Sequence, residues 1–272
     1  MLPDYHLHTA LCKHAHGDVG AFADAARARN VPEICFTDHA PNPHGYDPMH
    51  RMELAQFPKY LSMINALQDD PELPVLLGIE ADYYAGCEEF LREWLPRQGF
   101  DLVLGSIHYI GEWGFDNPSE LPAWDSVDVN GVWKAYFGLV EKLVDSGLFD
   151  AVGHLDLPKK FGHRPPDKVL IELAKPVLDR MARAGMGLEV NVSGLRKPVG
   201  EIYPSPLLLS MAADRGIVIC FGSDAHRPEE VGESFDIALS EALESGHTEY
   251  FRIRKRVKEL HPLPASPRGR SA

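Results

Sequence analysis

Short apolar runs alternate with longer amphipathic ones along the chain. The runs Asp4–Leu7, Glu33–Thr37, Val75–Glu80, Leu102–Ile107, Ala151–Gly153, Gly187–Val192 and Ile217–Gly222 are rich in Val, Ile, Leu and Phe. They lack sustained alternation, which is the pattern of strands buried on both faces of a parallel sheet. Helical periodicity fills the gaps. Trp133, Phe137, Val140 and Val144 mark one face of a helix that stops near Gly147, and further helices are predicted over Val169–Ala184 and Val231–Leu243. Pro58 falls within the helical stretch Glu53–Leu67 and predicts a break there. Seven strand–helix units in alternation predict an α/β domain, best arranged as a closed seven-stranded βα barrel. An open doubly wound sheet is the alternative. No linker, repeat or low-complexity block divides the chain, so residues 1–261 read as one domain and 262–272 as a flexible tail.

Composition narrows the function. The 272 residues are 44% hydrophobic and 25% charged, an ordinary globular balance. With 27 Lys+Arg against 40 Asp+Glu the formal charge is −13, which argues against a surface that coats nucleic acid or membrane. The longest apolar stretches, around Val75–Ile79 and Ile217–Phe221, are strand-length and too short for a membrane helix. The N-terminus lacks the basic and apolar regions of a secretory signal. Cys12, Cys35, Cys87 and Cys220 form no C-x-x-C pair, so they read as reduced thiols of a cytoplasmic protein. Cys12, between His8 and His14, is the one thiol placed to act as a ligand or to be redox-sensitive.

The 13 histidines are clustered. The first predicted strand runs into His6-Leu7-His8 and the second into Thr37-Asp38-His39. The third ends at Glu80, the fourth runs into His108, the fifth into His154, and the seventh into Asp224-Ala225-His226. All lie at C-terminal strand ends, where barrel active sites are built. Alternation puts His6 and His8 on one face, and Asp224 and His226 on one face. A lone histidine is ordinarily a core or surface residue, but six strands ending in His, Asp or Glu make a constellation, because such groups are rarely buried without a partner. Imidazole with carboxylate suits Zn, Fe or Mn, and the donors His6, His8, His14, His39, His108, His154, His226, Glu80 and Asp224 exceed the needs of one ion. Two or three ions sharing a bridging carboxylate are implied. His16, His44, His50, His163, His247 and His261 lie off the strand ends and read as ordinary, with His44 and His163 placed for loop contacts.

These motifs resemble the PHP (polymerase and histidinol phosphatase) family, in particular its bacterial monofunctional histidinol-phosphate phosphatases. The resemblance runs from Asp4-Tyr5-His6-Leu7-His8-Thr9 through Phe36-Thr37-Asp38-His39, Gly78-Ile79-Glu80, Gly105-Ser106-Ile107-His108 and Gly153-His154-Leu155-Asp156 to Gly222-Ser223-Asp224-Ala225-His226. Asn191–Arg196 and Leu157–His163 point to the phosphatase branch. The resemblance implies a distorted seven-stranded βα barrel with its active site at the C-terminal rim, and a trinuclear centre. In it His6, His8, Glu80 and Asp224 hold a first metal. Glu80 bridges to a second, completed by His108 and His154, while His14, His39 and His226 hold a third. Asp38 reads as support for a ligand.

The implied activity is hydrolysis of L-histidinol phosphate to L-histidinol and phosphate, in histidine biosynthesis. Attack would come from a metal-bridging hydroxide held by Glu80, with Asp224 and His226 at the centre. Phosphate wants guanidinium partners. Arg196, after the one strand that lacks a metal ligand, and Arg164, after the fifth strand, are the candidates, ahead of Arg227 and Lys159–Lys160. The long loops 44–51 and 111–128 read as lids. The alternatives are a PHP phosphoesterase or nuclease acting on another phosphate ester, a metal-dependent amidohydrolase, and a non-catalytic metal-stabilised scaffold. No C-x₅-R loop, D-x-D-x-[TV] motif, G-x-S-x-G elbow or P-loop occurs, which leaves metal-activated water. No nucleic-acid or membrane partner is expected; a homo-oligomer is compatible with the sequence.

Overall fold

The computed structural model describes residues 1–68 and 70–265, apart from the side chain of His44. The parallel strands are β1 (Asp4–Leu7), β2 (Ile34–Phe36), β3 (Val75–Asp82), β4 (Leu102–Ser106), β5 (Ala151–Val152), β6 (Gly187–Asn191) and β7 (Ile219–Gly222), paired in sequence order. Two more follow. β8 (Glu249–Arg254) runs parallel to β7 with Tyr250 opposite Ile219, and β9 (Val257–Pro262) returns antiparallel to it. The result is an α/β fold on a mostly parallel nine-stranded sheet, so the expected count of seven was short by the terminal hairpin. Pro262, expected to open the tail, still pairs with Glu249, and Leu263 donates to Thr248 O at 2.9 Å. Residues 266–272 of that tail lie outside the described residues.

The helices are α1 (Val19–Ala28), α2 (Phe57–Asn65), α3 (Glu88–Trp94), α4 (Val129–Ser146), α5 (Asp167–Ala184), α6 (Pro206–Ala213) and α7 (Phe235–Glu244). Asp128 caps α4 by accepting from Asn130 and Gly131, and Gly147 ends it at φ 66°, where a side chain would be strained. The break predicted at Pro58 is real: α2 starts one residue before it, and the preceding turn, Leu54–Gln56, is a 3₁₀ helix held by a Glu53/Gln56 capping box. α7 starts later than the predicted Val231, because a 3₁₀ turn over Pro228–Glu230 and a left-handed Ser234 precede it. The apolar face of α4 (Trp133, Phe137, Val140, Val144) is buried in the main core with Leu170, Ala174 and Val177 of α5. Each large side chain buried there contributes about 1.5–3 kcal/mol. None of the described helices is long and apolar enough to cross a membrane.

Strand alternation builds the site from the bottom up. Positions two apart share a face, so Cys35 lies in column with Thr37 and His39, Leu76 with Gly78 and Glu80, and Cys220 with Gly222 and Asp224. At the lower end Tyr5, Cys35, Leu76, Leu102, Ala151 and Cys220 form a separate apolar cluster with Phe251 and Ile253 of β8. The terminal hairpin is pinned to the starts of other strands. Arg252 and Arg254 pair with Glu33, Arg256 pairs with Asp150, and Arg256 N–H donates to Asp101 O. At the upper end two parallel bridges continue past the strands, Leu7 with Ala225 and His39 with Glu80. The first sets the ends of β1 and β7 side by side at the rim, and the second does the same for β2 and β3.

Candidate metal centre

Glu80 is the hub. Its Oε2 lies 2.8 Å from His39 Nδ1, 3.5 Å from His6 Nε2 and 3.8 Å from His8 Nε2. Its Oε1 lies 3.0 Å from His154 Nε2 and 3.6 Å from His108 Nε2. Asp224 Oδ1 faces the same space from β7, 3.1 Å from His8 Nε2 and 3.8 Å from His6 Nε2. At the mouth, His14 Nε2 and His226 Nε2 are 2.8 Å apart, and the His226 ring stacks on His8 with centroids 4.0 Å apart.

Behind this ring of imidazoles stands a second layer of acceptors. His6 Nδ1 meets Glu189 Oε1 at 2.6 Å, His108 Nδ1 meets Asp82 Oδ1 at 2.9 Å, and His8 Nδ1 meets Asp38 Oδ1 at 3.4 Å. Backbone carbonyls serve the outer pair: His14 Nδ1 meets Cys12 O at 2.8 Å and His226 Nδ1 meets Asp224 O at 3.1 Å. A ring nitrogen held from behind fixes the tautomer and turns Nε2 forward as an acceptor, the arrangement of a metal ligand. The forward atoms fit that role. His6 Nε2, His8 Nε2, His39 Nδ1 and Glu80 Oε2 are buried, and despite their close approaches none makes a well-aligned hydrogen bond. Each such orphan costs about 1–3 kcal/mol, and divalent cations bound within the donor groups would satisfy them.

The donor atoms form groups of three within 4.8 Å of one another: His6, His8 and Glu80; His39, Glu80 and His108; His8, His39 and His226; Cys12, His14 and His226; and His8, Cys12 and Asp38. These groups hold seven of the nine expected ligands, and the distances above bring His154 and Asp224 to the same site. In detail, His39 points its Nδ1 at Glu80, whereas the resemblance groups it with His14 and His226. Cys12 is buried, and its Sγ accepts from Ala15 N–H at 3.3 Å. Asp38, besides backing His8, accepts from the hydroxyl of Thr9 and from the His39 N–H.

Charge follows this layering. Burial opposes ionisation of Glu80, but His39, His6 and His108 outweigh it and hold the carboxyl well below its usual range. Burial also opposes protonation of His108, yet Asp82 and Glu80 raise it to about 10. His14, His39 and His226 are held low by burial and by neighbouring imidazoles. Two of the expected ligands sit in left-handed backbone, Asp224 at φ 53° and His154 at φ 26°, a conformation that costs a non-glycine residue about 1–3 kcal/mol and recurs at functional sites.

The cavity above the centre has a volume of about 340 Å³. Its wall includes Lys160, Lys197, Arg227, Asp116 and Tyr203, and Lys160 Nζ donates to Asp116 Oδ2 at 2.9 Å. Arg196 does not line it. Its guanidinium donates to Ser223 O at 2.7 Å and faces Glu230 and Glu233. Arg164 is held by Glu201 at 2.9 Å. Of the two loop histidines, His163 stacks on Trp124 with centroids 4.4 Å apart, and the side chain of His44 lies outside the described atoms. His50, read as ordinary, lines the cavity with its Nδ1 on Asp47 at 2.7 Å.

Sequence reasoning passed over Glu189 and Asp82. Both are buried carboxylates in otherwise apolar strands, Glu189 two residues before Asn191 and Asp82 two residues after Glu80. A charge on the inward face of a buried strand was the available signal.

The chain is 48% identical over 257 residues to a probable histidinol-phosphatase of Deinococcus radiodurans, covering 93% of this chain and 98% of that one. It is 29% identical to a histidinol-phosphatase of Bacillus subtilis, over 87% of this chain and 97% of the relative. Its fold matches the crystal structure of a histidinol phosphate phosphatase from Lactococcus lactis, complexed with zinc, L-histidinol and phosphate, at a TM-score of 0.83, 21% identity and coverage of 95% and 98%. The PHP domain profile matches residues 4–193, which carry seven of the nine rim donors, and the chain belongs to the PHP domain family.

Proposed function

We propose that this chain is a metal-dependent phosphomonoesterase that hydrolyses L-histidinol phosphate to L-histidinol and phosphate, a step of histidine biosynthesis. The observation that carries it is the convergence of seven imidazoles and two carboxylates on one rim, with the forward atoms of His6, His8, His39 and Glu80 unsatisfied. The likeness to histidinol-phosphatases over nearly full length supports the substrate. The Leu7–Ala225 bridge supports closure of the sheet as a distorted barrel with this rim as its open end.

The overlapping donor groups suit two to three ions of zinc, iron or manganese, with Glu80 shared between two of them. When bound, such ions would neutralise phosphoryl oxygens and supply a nucleophilic hydroxide near neutral pH. The protein's own part is binding and orientation. Lys160, Lys197 and Arg227 bring positive charge into the cavity wall for a phosphate. Arg196 and Arg164, the residues proposed for phosphate from the sequence, do not line the cavity and are held by acidic partners, which in this proposal they exchange for the substrate.

Steady-state kinetics on histidinol phosphate, against a panel of other phosphomonoesters and with and without a chelator, tests the proposal. The expected result is a kcat/KM for histidinol phosphate well above the panel and abolished by chelation. Comparable values across the panel would replace the substrate with a broader phosphate-ester class. Activity untouched by chelation would overturn the metal chemistry.

A further inference from the structure

Of strands β1 to β7, β6 is the one whose rim carries no expected metal ligand, yet it holds a carboxylate that touches two of them. Glu189 is fully buried. Its Oε1 meets His6 Nδ1 at 2.6 Å; its Oε2 accepts from His154 N–H at 2.9 Å and from Asn191 Nδ2 at 3.1 Å. Asn191 Oδ1 in turn accepts from Ser193 N–H at 2.9 Å, and Ser193 Oγ donates to Asp224 Oδ2 at 3.0 Å. A single hydrogen-bonded path therefore runs from His6 on β1, through β6, to Asp224 beyond β7. Those two ends face each other across the site, His6 Nε2 3.8 Å from Asp224 Oδ1.

The surroundings are cut to admit this carboxylate. A Cβ at Gly222 would lie 2.0 Å from Glu189 Oε1, and one at Gly153 would lie 2.7 Å from Ser106 Oγ and 3.4 Å from Glu189 Oε2. The glycine at 222 is what leaves room for Glu189, whereas the one at 153 makes room chiefly for Ser106. Its bond to the His154 amide also steadies a residue whose φ of 26° is otherwise unfavourable.

We propose that Glu189 is a positioning residue of the metal centre: it orients His6 through Nδ1 and His154 through its backbone, and through Asn191 and Ser193 it sets the carboxylate of Asp224. This rests on the metal-dependent reading above and adds to it a residue that touches neither metal nor substrate. Glu189 holds three ligands from three strands, so its removal loosens the centre without deleting a donor. Loss of such an outer partner weakens metal binding about 10–100-fold.

The test is zinc affinity measured by competition with a chromogenic chelator, on the full chain and its Glu189→Gln and Glu189→Ala variants, with far-UV circular dichroism as the check on folding. The expected result is affinity about tenfold weaker for Glu189→Gln, which keeps shape and an acceptor, and about 100-fold weaker for Glu189→Ala. Nitrogen-15 NMR of the zinc-loaded wild type supplies a readout that needs no variant. His6 is expected as the Nδ1–H tautomer with a strongly deshielded proton, lost in Glu189→Ala. Wild-type affinity in both folded variants, or an Nε2–H tautomer at His6, would overturn the inference and leave the proposed function standing. Failure of the wild type to bind any divalent metal would overturn that function itself.

Discussion

Glu80→Gln removes the one charge on which the centre turns while preserving its volume. Five imidazole nitrogens lie between 2.8 and 3.8 Å from its two oxygens, and the residue belongs to two of the donor groups. Glutamine leaves one acceptor and turns an NH₂ toward the rest. Because the two groups share Glu80, metal content should fall by about two equivalents per chain, against about one for His14→Ala, which strikes only the outer group. Lewis-acid stabilisation supplies several kcal/mol to phosphoryl transfer, so kcat/KM should drop by at least about a hundredfold. The metal-free protein should suffer as well. Removing one member of a buried charge network costs about 3–5 kcal/mol, with the low end expected here because the imidazoles can shed protons. About 3 kcal/mol corresponds to a melting temperature lowered by about 6–12 °C in a chain of this size. Elemental analysis after dialysis, steady-state kinetics and thermal melting in chelator read the three effects. A variant that kept the wild-type metal complement and a kcat/KM within about threefold of normal would refute Glu80 as the shared ligand.

Lys160→Met should raise KM about tenfold with a smaller change in kcat, because the ammonium lies in the cavity wall and serves binding more than bond-making. An unchanged KM would remove Lys160 from the phosphate site. Glu33→Gln should leave activity intact and lower stability in urea by about 1–3 kcal/mol. Glu33 is buried, but its partners Arg252 and Arg254 are 35% and 49% exposed, so each ion pair is discounted for solvent. The sign with pH is fixed. Burial raises the Glu33 pKa, but Arg252, Tyr5 and Arg254 outweigh it and bring the folded value below 4.5. The stabilisation is therefore present above the unfolded pKa and lost as pH falls through the folded one. Urea melts of wild type and variant should differ at pH 7 and converge as pH falls through the lowered folded pKa; a gap that stayed constant with pH would mean that packing, not charge, holds the hairpin.

What the sequence made legible is what local periodicity encodes. His6 and His8, or Asp224 and His226, share a face by alternation alone, and buried strands announce themselves by continuous apolar runs. The hairpin β8–β9 went unread because its strands carry Arg252, Arg254 and Lys258, whose partners Glu33 and Gly185 lie elsewhere in the chain. Arg196 and Arg164 were legible as cations near the rim. Their present partners, Glu230, Glu233 and Glu201, come from later loops that no spacing rule connects to them. His39 turned toward Glu80 for a similar reason: the bridge between them forms past the end of β2, where regular pairing has stopped.

The backing carboxylates explain why one fold tolerates so many buried imidazoles. Asp38 sits beside His39 in sequence but serves His8, and Asp82 follows Glu80 but serves His108. Glu189 lies on β6 and serves His6 and His154. Each support reaches a ligand on a neighbouring or facing strand, so no strand carries a self-sufficient piece of the site. A shift in one strand displaces its own ligand and also untethers another strand's. Substitutions at a ligand and at the support it lacks in sequence, such as His8 and Asp38, share a single hydrogen bond, and their effects on metal affinity should fall short of additive. His8 and Asp82 have no bond in common, and their effects on it should combine more nearly in full. This interlocking is also why adding up independent ligands undercounts the site: the acidic residues that the net charge recorded as surplus are, in part, the second layer that aims the histidines.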